Sequence, residues 1–136
     1  MASRPAVKLL AWRWGPMVAW MAVIFWASGL SIRLPTPGMI DVPWDAKFQH
    51  TVAYAILAGL LATVWQLSSG VLTARHLSWT WIAVVIYGAL DEITQIPVSR
   101  DCDFWDWTAD ATGAAVGLLA FVWLRRRYTA RAADTQ

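Results

Sequence analysis

Asp91 and Glu92 stand side by side at the end of an apolar run, and Asp103, Asp106 and Asp110 lead into the next one. Carboxylates in apolar surroundings cannot all ionise cheaply, so they are expected either to hold protons or to be matched by cations. A carboxyl group that keeps its proton there is a candidate general acid or base. Lys47, His50 and Tyr54 recur at i, i+3 and i+7, which places an ammonium, an imidazole and a phenol on one helix face. Arg100, just after Pro97, has the forked geometry that binds phosphate or carboxylate bidentately. Asp91, Glu92 and His50 are therefore the candidate catalytic groups, with Lys47, Tyr54, Arg100, Asp106 and Asp110 as candidate ligand contacts. The same residues are equally the parts of a structural ion network that fixes helix register, and spacing alone does not separate the two.

The elements that position these groups follow from composition. The 136 residues are 58% apolar, include eleven Trp and have a mean hydropathy of +0.45, more than one small soluble core accommodates. A membrane-spanning helix needs about 20 largely apolar residues. Residues 14–34, 48–67, 77–96 and 105–124 approach that length. The expected fold is all-α, a membrane bundle of four transmembrane helices forming a single domain over residues 1–136, with basic tails at 1–13 and 125–136. Trp44-Asp45 and Trp105-Asp106 open the second and fourth runs alike, with Asp as N-cap and Trp as interface anchor. The matching pairs suggest two related helical hairpins.

Depth strengthens the chemical reading. The uncharged stretch from Leu77 to Leu90 covers about 21 Å of a hydrocarbon core about 30 Å thick, so the third helix spans only by submerging Asp91 and Glu92. The fourth submerges Asp110 at the same level, some 6 to 8 Å below the outer boundary. Lys47 is the expected counter-ion of these acids. Asp103, Asp106, Asp110, Gly113 and Gly117 form one stripe, acidic above and a Gly-xxx-Gly step below. Packing within the bundle is the expectation for the two glycines, with a homodimer as the other use of such a step.

Orientation follows from the basic residues. Arg4, Lys8, Arg13, Arg75, Arg125, Arg126, Arg127 and Arg131 fall on one side, and Arg33, Lys47 and Arg100 on the other, together with eight of the nine acidic residues. Both termini are thus expected in the cytoplasm and the acidic face on the opposite side of the membrane. Trp12, Trp14, Trp65, Trp79, Trp81 and Trp123 flank the inner boundary and Trp44, Trp105 and Trp107 the outer one, leaving Trp20 and Trp26 for packing at mid-depth. The first run ends in Ala27-Ser28-Gly29, as a cleaved secretory signal does, but its length and its Trp content favour a retained span.

Several chemistries lack support. There is no phosphate-cradling Gly-rich loop, no Gly-x-Ser-x-Gly and no Cys-x-x-Cys, and Cys102 is the sole cysteine, so no internal disulfide forms. No basic helix or aromatic-basic array points to nucleic acid, and the basic excess suits loops next to anionic membrane lipids. No cofactor is expected. A divalent cation on the aligned Asp103, Asp106 and Asp110 is the weaker alternative, because Lys47 and Arg100 compete for the same oxygens.

In order and spacing, Lys47-x-x-His50-x-x-x-Tyr54-x-x-Leu57, Asp91-Glu92-x-x-Gln95, Arg100, Asp106 and Gly113-x-x-x-Gly117 resemble the VanZ-like family of small bacterial membrane proteins, over about residues 44–120. Asp110 departs from that pattern, standing where the family commonly has Asn, and Asp45 lies one position further from Lys47 than the usual adjacent pair. The resemblance implies a cell-envelope role, association with tolerance of the glycopeptide teicoplanin, and a place for Gln95 among the ligand contacts. Two functions compete. One is an outward-facing site that binds or acts on a lipid-linked envelope precursor or lipoglycopeptide, with Glu92 or Asp91 and His50 transferring protons in an enzymatic version. The other is a non-catalytic interaction protein whose buried ion network holds the bundle together. A proton-coupled carrier is a third, for which four spans leave little room in a monomer.

Overall fold

The computed structural model describes residues 4–29, 44–95 and 103–134. These form four helices and, among the described residues, no strand: α1 (Arg4–Gly29), α2 (Trp44–Ser69), α3 (Ala74–Gln95) and α4 (Phe104–Asp134). The four apolar runs each seed one helix, but α1 and α4 extend well beyond them. α1 takes in the basic stretch from Arg4, and α4 continues through Arg125, Arg126 and Arg127. Arg and Ala are strong helix formers, and at the C-terminal end of α4 cations also complement the helix dipole, so the backbone continues where the apolar pattern stops.

Local chemistry sets the turn between α2 and α3. Gly70 takes a left-handed conformation at φ 71°, and its N–H donates to the Gln66 carbonyl at 3.0 Å, which is the single-bond glycine cap of a helix C-terminus. Thr73 then caps α3, its Oγ1 accepting from the His76 N–H at 3.3 Å while His76 Nδ1 accepts from the Thr73 N–H at 3.4 Å. This is a capping box with imidazole in place of the usual carboxylate. At the start of α4 the cap is Asp103, whose Oδ1 accepts from the Trp105 N–H at 2.8 Å. Asp106 does not cap the helix, contrary to the expectation from the Trp-Asp pairs. It lies inside the first turn, where its side chain is free to reach across to α2.

The most extensive helix contact is between α2 and α4, and glycine makes it. A side chain at Gly113 would collide with the backbone of Thr51, and one at Gly117 with that of Ala55. The Gly-xxx-Gly step thus packs α4 against α2 within the chain. Trp81 Nε1 donates to the Ala111 carbonyl at 3.1 Å and Trp107 Nε1 to that of Val85 at 3.1 Å, tying α3 to α4. α1 joins through Trp20, which donates to the Ala53 carbonyl at 2.9 Å, and through Tyr87, whose hydroxyl donates to the Met21 carbonyl at 2.7 Å. Trp26 does not pack inside the bundle; it is 62% exposed.

The interior is small and its outside is apolar. Met17, Ile24, Tyr54, Leu57, Ala58, Ala62, Val84, Ala114 and Leu118 form the buried core. Two stretches, Ala46–Ser69 and Phe104–Ala132, are long and apolar enough to cross a membrane.

The glycine contact is open to a direct comparison. Gly117→Ala is expected to destabilise the protein by about 1–3 kcal/mol, because the α2 backbone cannot yield to the new methyl group. Gly59→Ala, on the same α2 helix but with open space around its Cβ position, is expected to be neutral or to stabilise by about 0.5–1 kcal/mol. Thermal unfolding of the two purified variants checks both.

Candidate functional site

The helix contact aligns two stripes. From its cap Asp103 onward, α4 presents Asp106, Asp110, Gly113 and Gly117 to α2 as one row. On α2, Lys47, His50, Thr51, Tyr54 and Ala55 answer them. Lys47 Nζ lies 2.8 Å from Asp106 Oδ1 and 3.1 Å from Asp103 Oδ2. One turn deeper, His50 Nδ1 lies 2.8 Å from Asp110 Oδ1, while His50 Nε2 is 3.9 Å from Asp106 Oδ2. Below these pairs the glycines take over, and Thr51 donates to the carbonyl of Lys47 at 2.8 Å, one turn back along α2.

Lys47 is therefore not the counter-ion of the deepest acids. Its ammonium is held by the upper two aspartates, because it starts near the top of α2 and the N-terminal turn of α4 stands directly opposite. His50 takes the place expected for it, with Asp110 as its partner.

α3 supplies the other carboxylates. Asp91 and Glu92 are each 2% exposed and Asp110 is fully buried. Asp91 Oδ2 accepts from Ser28 Oγ of α1 at 2.6 Å and faces the Tyr54 hydroxyl at 3.5 Å. Glu92 Oε2 accepts from the backbone N–H of Asp103 at 3.1 Å. The Tyr54 ring stacks on His50, with centroids 6.4 Å apart and planes 6° apart, and meets the Tyr87 ring at 6.1 Å. Being almost fully buried, Tyr54 orients its neighbours and does not line an open surface.

Asp91, Glu92, His50, Lys47, Tyr54, Asp106 and Asp110 thus come together in one cluster built from α2, α3 and α4. Arg100 and Cys102 lie outside the described residues, as does the side chain of Gln95, whose backbone closes α3. No cofactor is indicated among the described residues, and the cation ligands considered on α4 alone are not grouped: Asp103 and Asp106 are turned to Lys47. The grouping that does occur is His50, Glu92 and Asp110, each with a ligand-type atom within 4.8 Å of the others.

Two residues of the site were not singled out by the sequence. Ser28, read only as part of a signal-like tripeptide, brings α1 to Asp91. Gly88 lies one helical turn before Glu92 and makes room for Asp110, since a Cβ there would stand 2.9 Å from Asp110 Oδ2 and 3.2 Å from Tyr54 Cε1. The signal for Gly88 was its place one turn before a submerged acid, which is legible only once a facing helix is known.

Asp103 is the most open member of the cluster. The Trp105 N–H and then the Lys47 ammonium stabilise its ionised form and hold its carboxyl below the ordinary value. No family of proteins, curated protein or solved structure that was compared matches this chain.

Two outcomes are expected. A lowered folded-state pKa means that the contribution of Asp103 is complete above the unfolded carboxylate value and fades as pH falls through the folded one. The difference in Tm between wild type and Asp103→Asn, which keeps the cap but not the charge, is therefore expected to be constant from neutral pH down to the ordinary carboxylate range and to narrow below it. Gly88→Ala is expected to displace the Asp110 carboxylate and disturb the His50 imidazole, seen as a shift in its NMR resonances, with helical content retained.

Proposed function

We propose that this chain is a VanZ-like, multi-pass protein of the bacterial plasma membrane, with both termini in the cytoplasm, that binds an amphiphile at a polar site near the outer boundary. The amphiphile would be a lipid-linked envelope precursor or a lipoglycopeptide. The observation that carries the membrane part is the inverted burial: Asp91, Glu92 and Asp110 are inside while Trp12, Phe48, Ile86, Leu119 and Trp123 are all more than half exposed. Water penalises that arrangement at every exposed apolar residue, whereas a bilayer favours it. Only 28% of an 18-residue apolar window in each of the two span-length stretches is buried by the protein, unlike the core helix of a soluble domain.

The amphiphile reading draws on an apolar cleft of ≈ 530 Å³ between α1, α2 and α3, lined by Met17, Met21, Leu57, Leu61, Val84 and Tyr87 among others. Tyr87 borders the cleft and also meets Tyr54, whose hydroxyl faces Asp91. An acyl chain in the cleft would therefore bring its polar end toward the carboxylate cluster. The carboxylates suit ammonium or hydroxyl groups; Lys47, already paired with two aspartates, is less suited to an anion than the sequence implied. If protons are transferred, the His50–Asp110 pair is the best-formed unit for it, since a carboxylate on one ring nitrogen fixes the tautomer and leaves the other nitrogen to act. A specific observation also favours the second reading, a structural network: the ion pairs of Lys47 and His50 join the two helices that make the widest contact.

Teicoplanin and lipoglycopeptide susceptibility in a sensitive host, with membrane abundance quantified, separates them. The expected result is protection by the wild-type chain that is lost in Glu92→Gln and His50→Ala at unchanged abundance. Loss of protection that tracks abundance would favour the structural network, and no protection by the wild type would remove the glycopeptide reading.

A further inference from the structure

The grouping of His50, Glu92 and Asp110 has a property that neither an ion network nor amphiphile binding requires. Asp110 is fully buried, and among the described residues its Oδ2 atom has no hydrogen-bond partner although its Oδ1 is engaged by His50. A buried carboxylate oxygen left without a donor is costly. Here it lies against Gly88, one turn of α3 from Glu92, and a side chain at position 88 would occupy its space. We infer that His50, Glu92 and Asp110 form a binding site for a divalent transition-metal ion, with Zn²⁺ or Mn²⁺ fitting the ligand set best.

Charge, ligand type and geometry agree. A neutral imidazole and two carboxylates carry a net charge of −2, which the charge of a divalent ion matches. One nitrogen with carboxylate oxygens suits Zn²⁺ or Mn²⁺ and disfavours Mg²⁺, which prefers an all-oxygen shell. Ligand atoms about 2.0–2.2 Å from a tetrahedral ion stand roughly 3.4 Å apart. The three groups already offer atoms within 4.8 Å of one another, so side-chain rotation closes the set. Lys47 does not compete, because Asp103 and Asp106 hold its ammonium on the turn above. The Asp103 N–H bonded to Glu92 Oε2 fixes the orientation of one ligand, as hydrogen bonds to metal-binding side chains do. Asp103 itself, 39% exposed, offers a carboxylate-lined approach from the outer end.

The test uses the full chain purified in detergent, stripped with a chelator and titrated with Zn²⁺, with Mg²⁺ in parallel. Stoichiometric Zn²⁺ binding that raises Tm is expected, with at least a ~10-fold weaker Kd in His50→Gln, Glu92→Gln and Asp110→Asn, little change in Gly59→Ala, whose Cβ position is open space away from the cluster, and no comparable Mg²⁺ binding. Absence of stoichiometric Zn²⁺, equal affinity for Mg²⁺, unchanged affinity in the three variants or equal loss in Gly59→Ala would overturn the site. X-ray absorption of the Zn²⁺-loaded wild type depends on no variant: imidazole scattering with nitrogen and oxygen ligands at about 2.0–2.2 Å supports it, and an all-oxygen or sulfur shell refutes it. Neither readout involves glycopeptide protection, so this inference stands or falls apart from the amphiphile reading.

Discussion

The close approach of α2 and α4 is the constraint on which the rest of the structure depends. Gly113 and Gly117 let the α4 backbone lie against Thr51 and Ala55 with no side chain between them. Backbones that close leave only short reaches for the side chains above. Lys47 meets Asp103 and Asp106, and His50 meets Asp110, at hydrogen-bond distance. With a larger residue at either glycine the helices would stand apart and these pairs would lengthen into weaker contacts. The glycine step below and the ion pairs above are thus two halves of one interface, the first setting the distance and the second the register.

The site's third wall illustrates how a polar cluster is assembled in a bundle with little interior volume. α3 brings Asp91 and Glu92 on consecutive residues, which point about 100° apart around the helix. Asp91 therefore turns toward Ser28 and Tyr54, while Glu92 turns toward the start of α4. One acid ties α1 into the bundle and the other closes the α3–α4 side. Gly88 adds room where the Asp110 carboxylate would otherwise collide with α3. Each helix contributes a group, so the integrity of the site reports on the whole bundle.

A shell of exposed Trp, Phe, Ile and Leu around buried carboxylates reverses the usual arrangement of a globular protein. Under the membrane reading proposed above, polar pairing gains importance as an organising force, because apolar contacts between helices would compete with equally apolar lipid tails. The indole donors follow the same logic. Trp20, Trp81 and Trp107 each give their N–H to a backbone carbonyl on a neighbouring helix, so that a polar group docks one helix on another.

What the sequence determined by itself was the inventory and its axial order. Apolar runs separated by prolines and charged segments set four helices. The i, i+3, i+7 spacing put Lys47, His50 and Tyr54 on one face, and steps of three and four put the α4 aspartates and glycines on another. Those are properties of a single helix, whose periodicity is fixed by backbone geometry. Which faces meet is not such a property. The pairing of Lys47 with Asp103 and Asp106, the assignment of Asp110 to His50, the role of Asp103 as the cap of α4 and the contributions of Ser28 and Gly88 all depend on the relative height and rotation of two helices. Those quantities were decided by the tertiary packing of Gly113 and Gly117 against α2, because a shift of a single turn along that seam would exchange every ion pair for another of similar chemistry.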